Sequence, residues 1–75
     1  MKQKKKYEKE MEDLRRELRE YRRQGVGLYL DGISSTPKEI ARACVIAENG
    51  TYMRDYGDNE GGEIRSINFE FVENE

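Results

Sequence analysis

The residue types that most often perform catalysis are scarce in this chain of 75 residues. It has no histidine, which removes the commonest acid–base group at neutral pH and the commonest metal ligand. Its one cysteine, Cys44, therefore has no histidine partner, and it falls on the apolar face of a predicted helix, where a thiolate is disfavoured. We predict no catalytic residues and a protein that is not an enzyme.

Oxygen ligands are concentrated at one predicted hairpin tip, but they do not form a known metal motif. They are Asp55, Asp58, Asn59, Glu60 and Glu63. Their spacing lacks the ligand order of an EF-hand loop, so a solvated loop is the better interpretation. Gly25-Val26-Gly27 follows a helix and precedes a strand, which is the reverse of a phosphate-binding loop. The sequence therefore predicts neither a metal site nor a cofactor.

The segment from Tyr52 to Tyr56 has the composition that best suits protein binding. Tyrosine, methionine and arginine are enriched in protein interfaces, and Arg54 lies at the centre of the segment. Tyr52 and Tyr56 point to the same side if the segment is a strand, and we expect Tyr29 to join them on the sheet. The same rings also suit the cover of a small core, and both interpretations stay open.

The first third of the chain is predicted to be one charged amphipathic helix. Residues 4–24 contain no glycine or proline, and Gly25 follows as a helix stop. The apolar positions form a seam with spacing 4, 3, 4, 3: Tyr7, Met11, Leu14, Leu18 and Tyr21. This is the heptad spacing of a coiled coil. The basic start opposes the helix dipole, so residues 1–6 should fray.

Two packing surfaces are possible for this seam. It can pack on the protein's own sheet, or it can form a parallel homodimer. In the homodimer Glu10 would pair with Arg15, and Glu17 with Arg22, of the second chain. The full candidate interface comprises Met11, Leu14, Leu18, Tyr21, Tyr29, Tyr52, Arg54 and Tyr56.

Residues 25–75 are predicted to form a compact β-α-β-β unit. Alternation of Val26, Leu28 and Leu30 with other residues indicates a short first strand. Thr36-Pro37 is a good helix start for residues 36–48, and residues 51–56 and 64–72 should form a C-terminal β-hairpin. With the helix of residues 1–24, this is a single domain of the α+β class.

Composition limits the cell compartment and the number of domains. Charged residues make up 40% and hydrophobic residues 35%, at a net charge of −2. No run of 18 apolar residues and no secretory signal is found, and a single cysteine suits a reducing compartment. We expect a cytoplasmic protein that does not enter a membrane.

A helix-turn-helix at residues 36–56 is the main nucleic-acid alternative. The segment from Thr36 to Ala43 is similar to the first helix of that motif, and the later hairpin would be a wing. The following segment offers only Arg54 as a cation to read a DNA groove, and the chain is net acidic. These features disfavour nucleic-acid binding.

Several short strings resemble small uncharacterised proteins of Gram-positive gut bacteria that are often carried on mobile elements. The strings are 28–32, 34–35, Pro37, 39–41, 43–44 and 52–56. The resemblance covers most of the chain and brings no established catalytic residues. It implies an accessory protein of a plasmid, conjugative element or phage.

The expected function is therefore protein interaction or regulation by a small non-enzymatic protein. One concrete version binds or inhibits host machinery such as a defence nuclease, with the acidic carboxy-terminal half mimicking nucleic-acid phosphates. The alternatives are a nucleic-acid-binding regulator and a structural homo-oligomer formed through the N-terminal helix. The expected partner is a protein, and no cofactor is expected.

Overall fold

The computed structural model describes residues 6–58 and 60–74, with side chains described from residue 8 onward. The elements are α1 (Lys6–Arg23), β1 (Gly27–Leu30), β2 (Ile33–Ser34), α2 (Pro37–Ile46), β3 (Gly50–Asp58) and β4 (Ile64–Glu73). They confirm the α+β class, the first helix and the C-terminal hairpin. Residues 1–5 of the predicted frayed start, and the Tyr7 side chain of the predicted seam, lie outside this description.

The four strands form one mixed sheet in the order β2-β1-β4-β3. β1 is parallel to β4, and the β1–β2 and β3–β4 pairs are antiparallel. Leu28 and Leu30 of β1 lie in register with Ile67 and Phe69 of β4, so the apolar residues of both strands share one face. β4 follows both helices along the chain and lies between β1 and β3, so it joins the two halves of the sheet.

α1 ends in a capping motif built on Gly25. This residue has a φ of +90°, a left-handed conformation that glycine adopts without a steric penalty. The Gly25 N–H donates to the Arg22 carbonyl at 3.0 Å, and the Val26 N–H donates to the Tyr21 carbonyl at 3.1 Å. These two bonds are those of a Schellman motif, and they turn the chain so that buried Val26 enters the core.

α2 begins with a capping box, at the helix start that the sequence predicts. The Glu39 N–H donates to the Thr36 hydroxyl at 3.1 Å, and the Thr36 N–H donates back to the Glu39 carboxylate at 3.3 Å. Pro37 occupies the first turn, where its missing N–H costs nothing. The helix stops at Ile46 instead of residue 48, because Ala47 is already extended.

The predicted β-α-β-β unit is wrong in one respect, because β2 is an additional strand. Asp31 and Gly32 have φ values of 51° and 81° and connect Leu30 to Ile33 in a two-residue hairpin. Positive φ at both positions is typical of a type I′ turn, for which Asp-Gly is a preferred pair. The Asp31 carboxylate also accepts from the Phe71 N–H of β4 at 2.9 Å, which ties the turn to the sheet.

The helix-turn-helix that was the nucleic-acid alternative for residues 36–56 is not formed. α2 is followed by β3, so a strand occupies the place of the recognition helix. β3 pairs with β4 along its whole length, and Gly50 is required there. A Cβ at Gly50 would lie 2.4 Å from the Val72 carbonyl oxygen and 2.5 Å from the Phe71 ring.

The core lies between the helices and one face of the sheet. Its buried hydrophobic cluster comprises Leu18, Val26, Leu28, Ile40, Ile67 and Phe69. Leu18 comes from the α1 seam and is 0% exposed, and Leu14 and Tyr21 pack partly buried against the same cluster. The seam therefore packs within the chain, where full burial of a leucine contributes about 2 kcal/mol.

Leu18→Ala should lower the free energy of unfolding by about 2 to 4 kcal/mol, because it opens a cavity where α1 meets the sheet. Urea denaturation followed by circular dichroism measures the change. Ile46→Ala is the matched control, since Ile46 is 52% exposed and should lose less than about 1 kcal/mol. Equal losses for the two variants would contradict the docking of α1 on this core.

Candidate functional site

The predicted interface residues do not form one surface, and those of the α1 seam lie mostly in the core. Leu18 is buried, and Leu14 and Tyr21 are largely used by the core. Met11 lies in a surface groove between α1 and α2. The seam is therefore mostly interior, and little of it remains for a partner in the docked state.

Tyr52, Arg54 and Tyr56 lie together on the helix-side face of β3. They are in register with Phe71, Phe69 and Ile67 of β4, whose side chains face the core. The rings of Tyr52 and Phe71 make an edge contact with centroids 5.2 Å apart. The predicted common direction of Tyr52 and Tyr56 is confirmed by this register.

Tyr29 does not join them. It is in register with Asn68, on the face of the sheet opposite the helices, and it is 36% exposed. The physical reason is the alternation along β1, since burial of Leu28 and Leu30 forces the residue between them outward. The expectation that the three tyrosines share one surface is therefore wrong.

Arg54 joins β3 to α1 through a bidentate ion pair with Glu17. Its Nη1 lies 2.8 Å from Glu17 Oε2 and its Nη2 lies 3.0 Å from Oε1. Nη1 also donates to the Tyr56 hydroxyl at 3.2 Å, and the guanidinium lies 5.3 Å from the Phe69 ring centroid. Arg54 thus contacts three partners and joins the first helix to the last hairpin.

The electrostatics of this pair follow from its geometry. The Arg54 hydrogen bonds lower the pKa of Glu17, and the Glu17 carboxylate in turn raises the pKa of Arg54. The pairing of Glu17 with Arg54 was not predicted from the sequence, which offered Glu17 a partner only in the homodimer, as Arg22 of the second chain. The position of Glu17 on α1 gave no local signal, because the two residues lie 37 positions apart.

β3 forms one edge of the sheet, with β4 as its sole strand neighbour among the described residues. The Asn74 N–H donates to the Asn49 carbonyl at 2.8 Å, which marks the 49–74 pair as hydrogen-bonded. Because such pairs alternate along an antiparallel ladder, the peptide groups of Tyr52, Arg54 and Tyr56 point away from β4. Their N–H and C=O groups are therefore directed outward from the sheet.

The hydrogen bonds on the far side of β4 support this assignment. The Phe71 N–H donates to Asp31 and the Phe69 carbonyl accepts from the Asp31 N–H, so both groups point toward β1. Phe71 and Phe69 face Tyr52 and Arg54 across the ladder. These pairs are therefore not hydrogen-bonded between β3 and β4, and the outer edge of β3 carries open backbone donors and acceptors.

The chemistry of the remaining candidate groups is limited. Burial raises the pKa of the half-buried Cys44 thiol, which disfavours a reactive thiolate. Within residues 6–58 and 60–74, no group of three or more Cys, Asp or Glu side chains is placed to hold a metal ion. None of the helices in that part of the chain is long and apolar enough to cross a membrane.

In comparisons with known proteins, no family model matches the chain, and neither a curated protein nor a solved structure matches it significantly. Function is therefore inferred from the surfaces of the chain itself.

Glu17→Gln should lower the free energy of unfolding by about 1 kcal/mol at neutral pH, because it breaks a partly buried bidentate pair. Since folding lowers the pKa of Glu17 from its ordinary value of 4.5, this stabilisation is present above that value. It is lost as the pH falls through the lower pKa of the folded state. Denaturation of both proteins at neutral pH and at about pH 3 should show the difference shrinking.

Glu20→Gln provides the control for this pH dependence. Glu20 pairs with Arg23 at 3.4 Å, but both side chains are more than half exposed. We expect this variant to differ little from the parent at either pH, since exposed pairs contribute little. A pH-independent difference for Glu17→Gln would refute a stabilising role for the ionised pair.

Proposed function

We propose that this chain is a small protein-binding protein that acts without catalysis and binds an extended strand of its partner along β3. The observation that carries the proposal is the open edge of this nine-residue strand. An extended peptide that adds to such an edge gains main-chain hydrogen bonds, and its alternate side chains provide specificity. Binding of this kind needs no ligand group other than a peptide backbone.

The composition of β3 supports such a role. Natural edge strands are commonly protected by proline, by a bulge or by charged side chains, especially lysine. β3 contains neither proline nor lysine, and its inward-pointing charge, Arg54, is paired with Glu17 of α1. Its register shift lies between Gly57 and Asp58, near the hairpin tip. The preceding residues, 50–56, therefore offer a regular edge about seven residues long, enough for two or three pairs of backbone hydrogen bonds.

Exposed apolar side chains flank this edge on both faces of the sheet. Met53 is 58% exposed on the outer face, and Tyr56 is 46% exposed on the helix-side face. An added strand would contact Met53 on the outer face of the sheet and Tyr56 on the helix-side face. Methionine and tyrosine are both favoured in interfaces, because they provide large contact areas that adapt to a partner.

Inhibition of a host nuclease is one specific form of this proposal. Residues 25–75 contain ten Asp or Glu residues against four Lys or Arg residues. Asp55 of β3 and Glu70 of β4 project from the outer face, where Glu70 is in register with Met53 and Asp55 is in register with Asn68. This acidic surface would complement a basic nucleic-acid-binding partner and would increase its rate of association.

The two alternatives are less well supported by the described contacts. A coiled coil through the α1 seam would require Leu18 to leave the core, in which it is fully buried. A nucleic-acid regulator could not use residues 36–56 as a helix-turn-helix, since β3 replaces the second helix. The expected compartment remains the cytoplasm, which suits a single reduced thiol.

Tyr56→Pro should abolish partner binding, whereas Tyr56→Ala should retain at least part of it. The proline removes an N–H that points away from β4, so the β3–β4 ladder keeps its bonds while the outer edge loses a donor. The alanine variant keeps this N–H and removes only the ring. Binding is measured by co-purification from the source cell and then with the purified partner.

Far-UV circular dichroism and a thermal melt establish that both variants fold. Binding that both folded variants retain at the level of the parent would overturn strand addition at β3. Equal loss in both would assign binding to the Tyr56 ring instead of the backbone edge, which also contradicts the proposal. The added strand could also be β3 of a second copy of the chain. In that case sedimentation of the intact chain would show a dimer.

A further inference from the structure

A second surface, independent of β3, is a groove between α1 and α2. Two depressions of about 380 and 320 Å³ share Arg15 and Lys38 in their linings, so they adjoin each other along the α1–α2 contact. We call the two depressions together the α1–α2 groove. Its rim carries five cations: Arg15, Arg19, Arg22, Lys38 and Arg42. At one end Met11 and Ile46 provide an apolar surface.

Helical spacing explains how the cations converge. Arg15, Arg19 and Arg22 follow each other by four and three positions, so they share one face of α1. Lys38 and Arg42 are four positions apart and share a face of α2. Packing of the two helices brings these faces together, and the cations line both sides of one groove.

The ion pairs that the structure describes on α1 involve residues other than these five cations. In the part of the chain that the structure describes, the ion pairs of α1 use Arg16 with Asp13, Arg23 with Glu20, and Glu17 with Arg54. No such pair joins a rim cation to a described carboxylate. Like charges that are crowded in a groove repel each other, so an anionic ligand would relieve this repulsion.

We propose that the α1–α2 groove binds an acidic segment of a protein partner that also carries an apolar side chain. The carboxylates would contact the five rim cations, and the apolar side chain would pack on Met11 and Ile46. Ile46 is 52% exposed at this end, although it ends a helix whose other apolar residues are mostly buried. The combination of a charged rim and an apolar end suits an amphipathic acidic segment laid into a groove.

The apolar end favours a protein over a nucleic acid. Proteins that bind single-stranded nucleic acid stack bases on aromatic rings, and the described residues lining this groove include no aromatic side chain. A phosphate backbone would use the cations but leave Met11 and Ile46 uncovered. An acidic peptide with an apolar residue uses both parts of the groove.

The test is a titration with a fluorescent peptide of about twelve residues that repeats Leu-Glu-Glu, which presents carboxylates beside an apolar stripe. Two matched peptides replace Glu by Gln or Leu by Ala. The intact chain should bind the parent peptide, and each replacement should weaken binding by roughly tenfold. Fluorescence anisotropy measures the affinity, and methyl resonances of Met11 and Ile46 locate the site.

The groove variant is Arg15→Gln, Lys38→Gln and Arg42→Gln, and it should bind the parent peptide roughly tenfold more weakly. The matched control is Arg16→Gln, Arg23→Gln and Arg65→Gln, which removes the same charge from exposed positions outside the groove. The control should change the affinity by less than about twofold. Ile46→Ser should also weaken binding of the parent peptide, but not of the peptide that contains Ala in place of Leu.

Three results would overturn the proposal. Equal weakening in the groove variant and its control would indicate attraction to net charge alone. Tighter binding of a single-stranded oligonucleotide of equal charge would assign the groove to phosphates. Unchanged Met11 and Ile46 resonances at saturating peptide would place the peptide elsewhere. Because Tyr56 lies outside this groove, failure here leaves strand addition at β3 unaffected, and the reverse also holds.

Discussion

Leu18 of α1, Ile40 of α2, and Ile67 and Phe69 of β4 bury one another almost completely. This contact joins the first helix, the second helix and the last strand, which no local hydrogen bond connects. A chain of this length has little other apolar surface to bury, so stability depends strongly on a few such residues. α1 consequently cannot present its whole seam to a partner and still serve the fold.

Placement of both helices on one side of the sheet determines which surfaces stay open. The outer face, with Tyr29 and Met53, has no helix over it, and β3 has no strand beyond it among the described residues. On the other side, the meeting of α1 and α2 creates a groove with a basic rim. The outer face of the sheet therefore carries Asp55 and Glu70, whereas the helix side carries the five cations of the α1–α2 groove.

The charges differ in role according to their neighbours. Arg54 is engaged by Glu17, Tyr56 and the Phe69 ring, and it stabilises the contact between α1 and β3. The composition of the segment from Tyr52 to Tyr56 had suggested that Arg54 is an interface residue, but most of its hydrogen-bonding capacity is used within the chain. The sequence suggested that Arg15 would pair with Glu10 of a second chain, and it suggested no role for Lys38. The two cations lie on adjoining helices, and no described ion pair joins either of them to a carboxylate.

The sequence by itself determined the features that depend on residues a few positions apart. These include the α1 periodicity, its end at Gly25, the capping box of Thr36 and Glu39, and the C-terminal hairpin. Asp31-Gly32 is an equally local signal for β2, since that pair is typical of a type I′ turn, although the predicted β-α-β-β unit has no strand at that place. Only the tertiary structure decided the pairing of β1 with β4, the outward direction of Tyr29, and the partner of Glu17. The physical reason is that a heptad seam or a strand has the same spacing whichever surface covers it, and packing alone selects that surface.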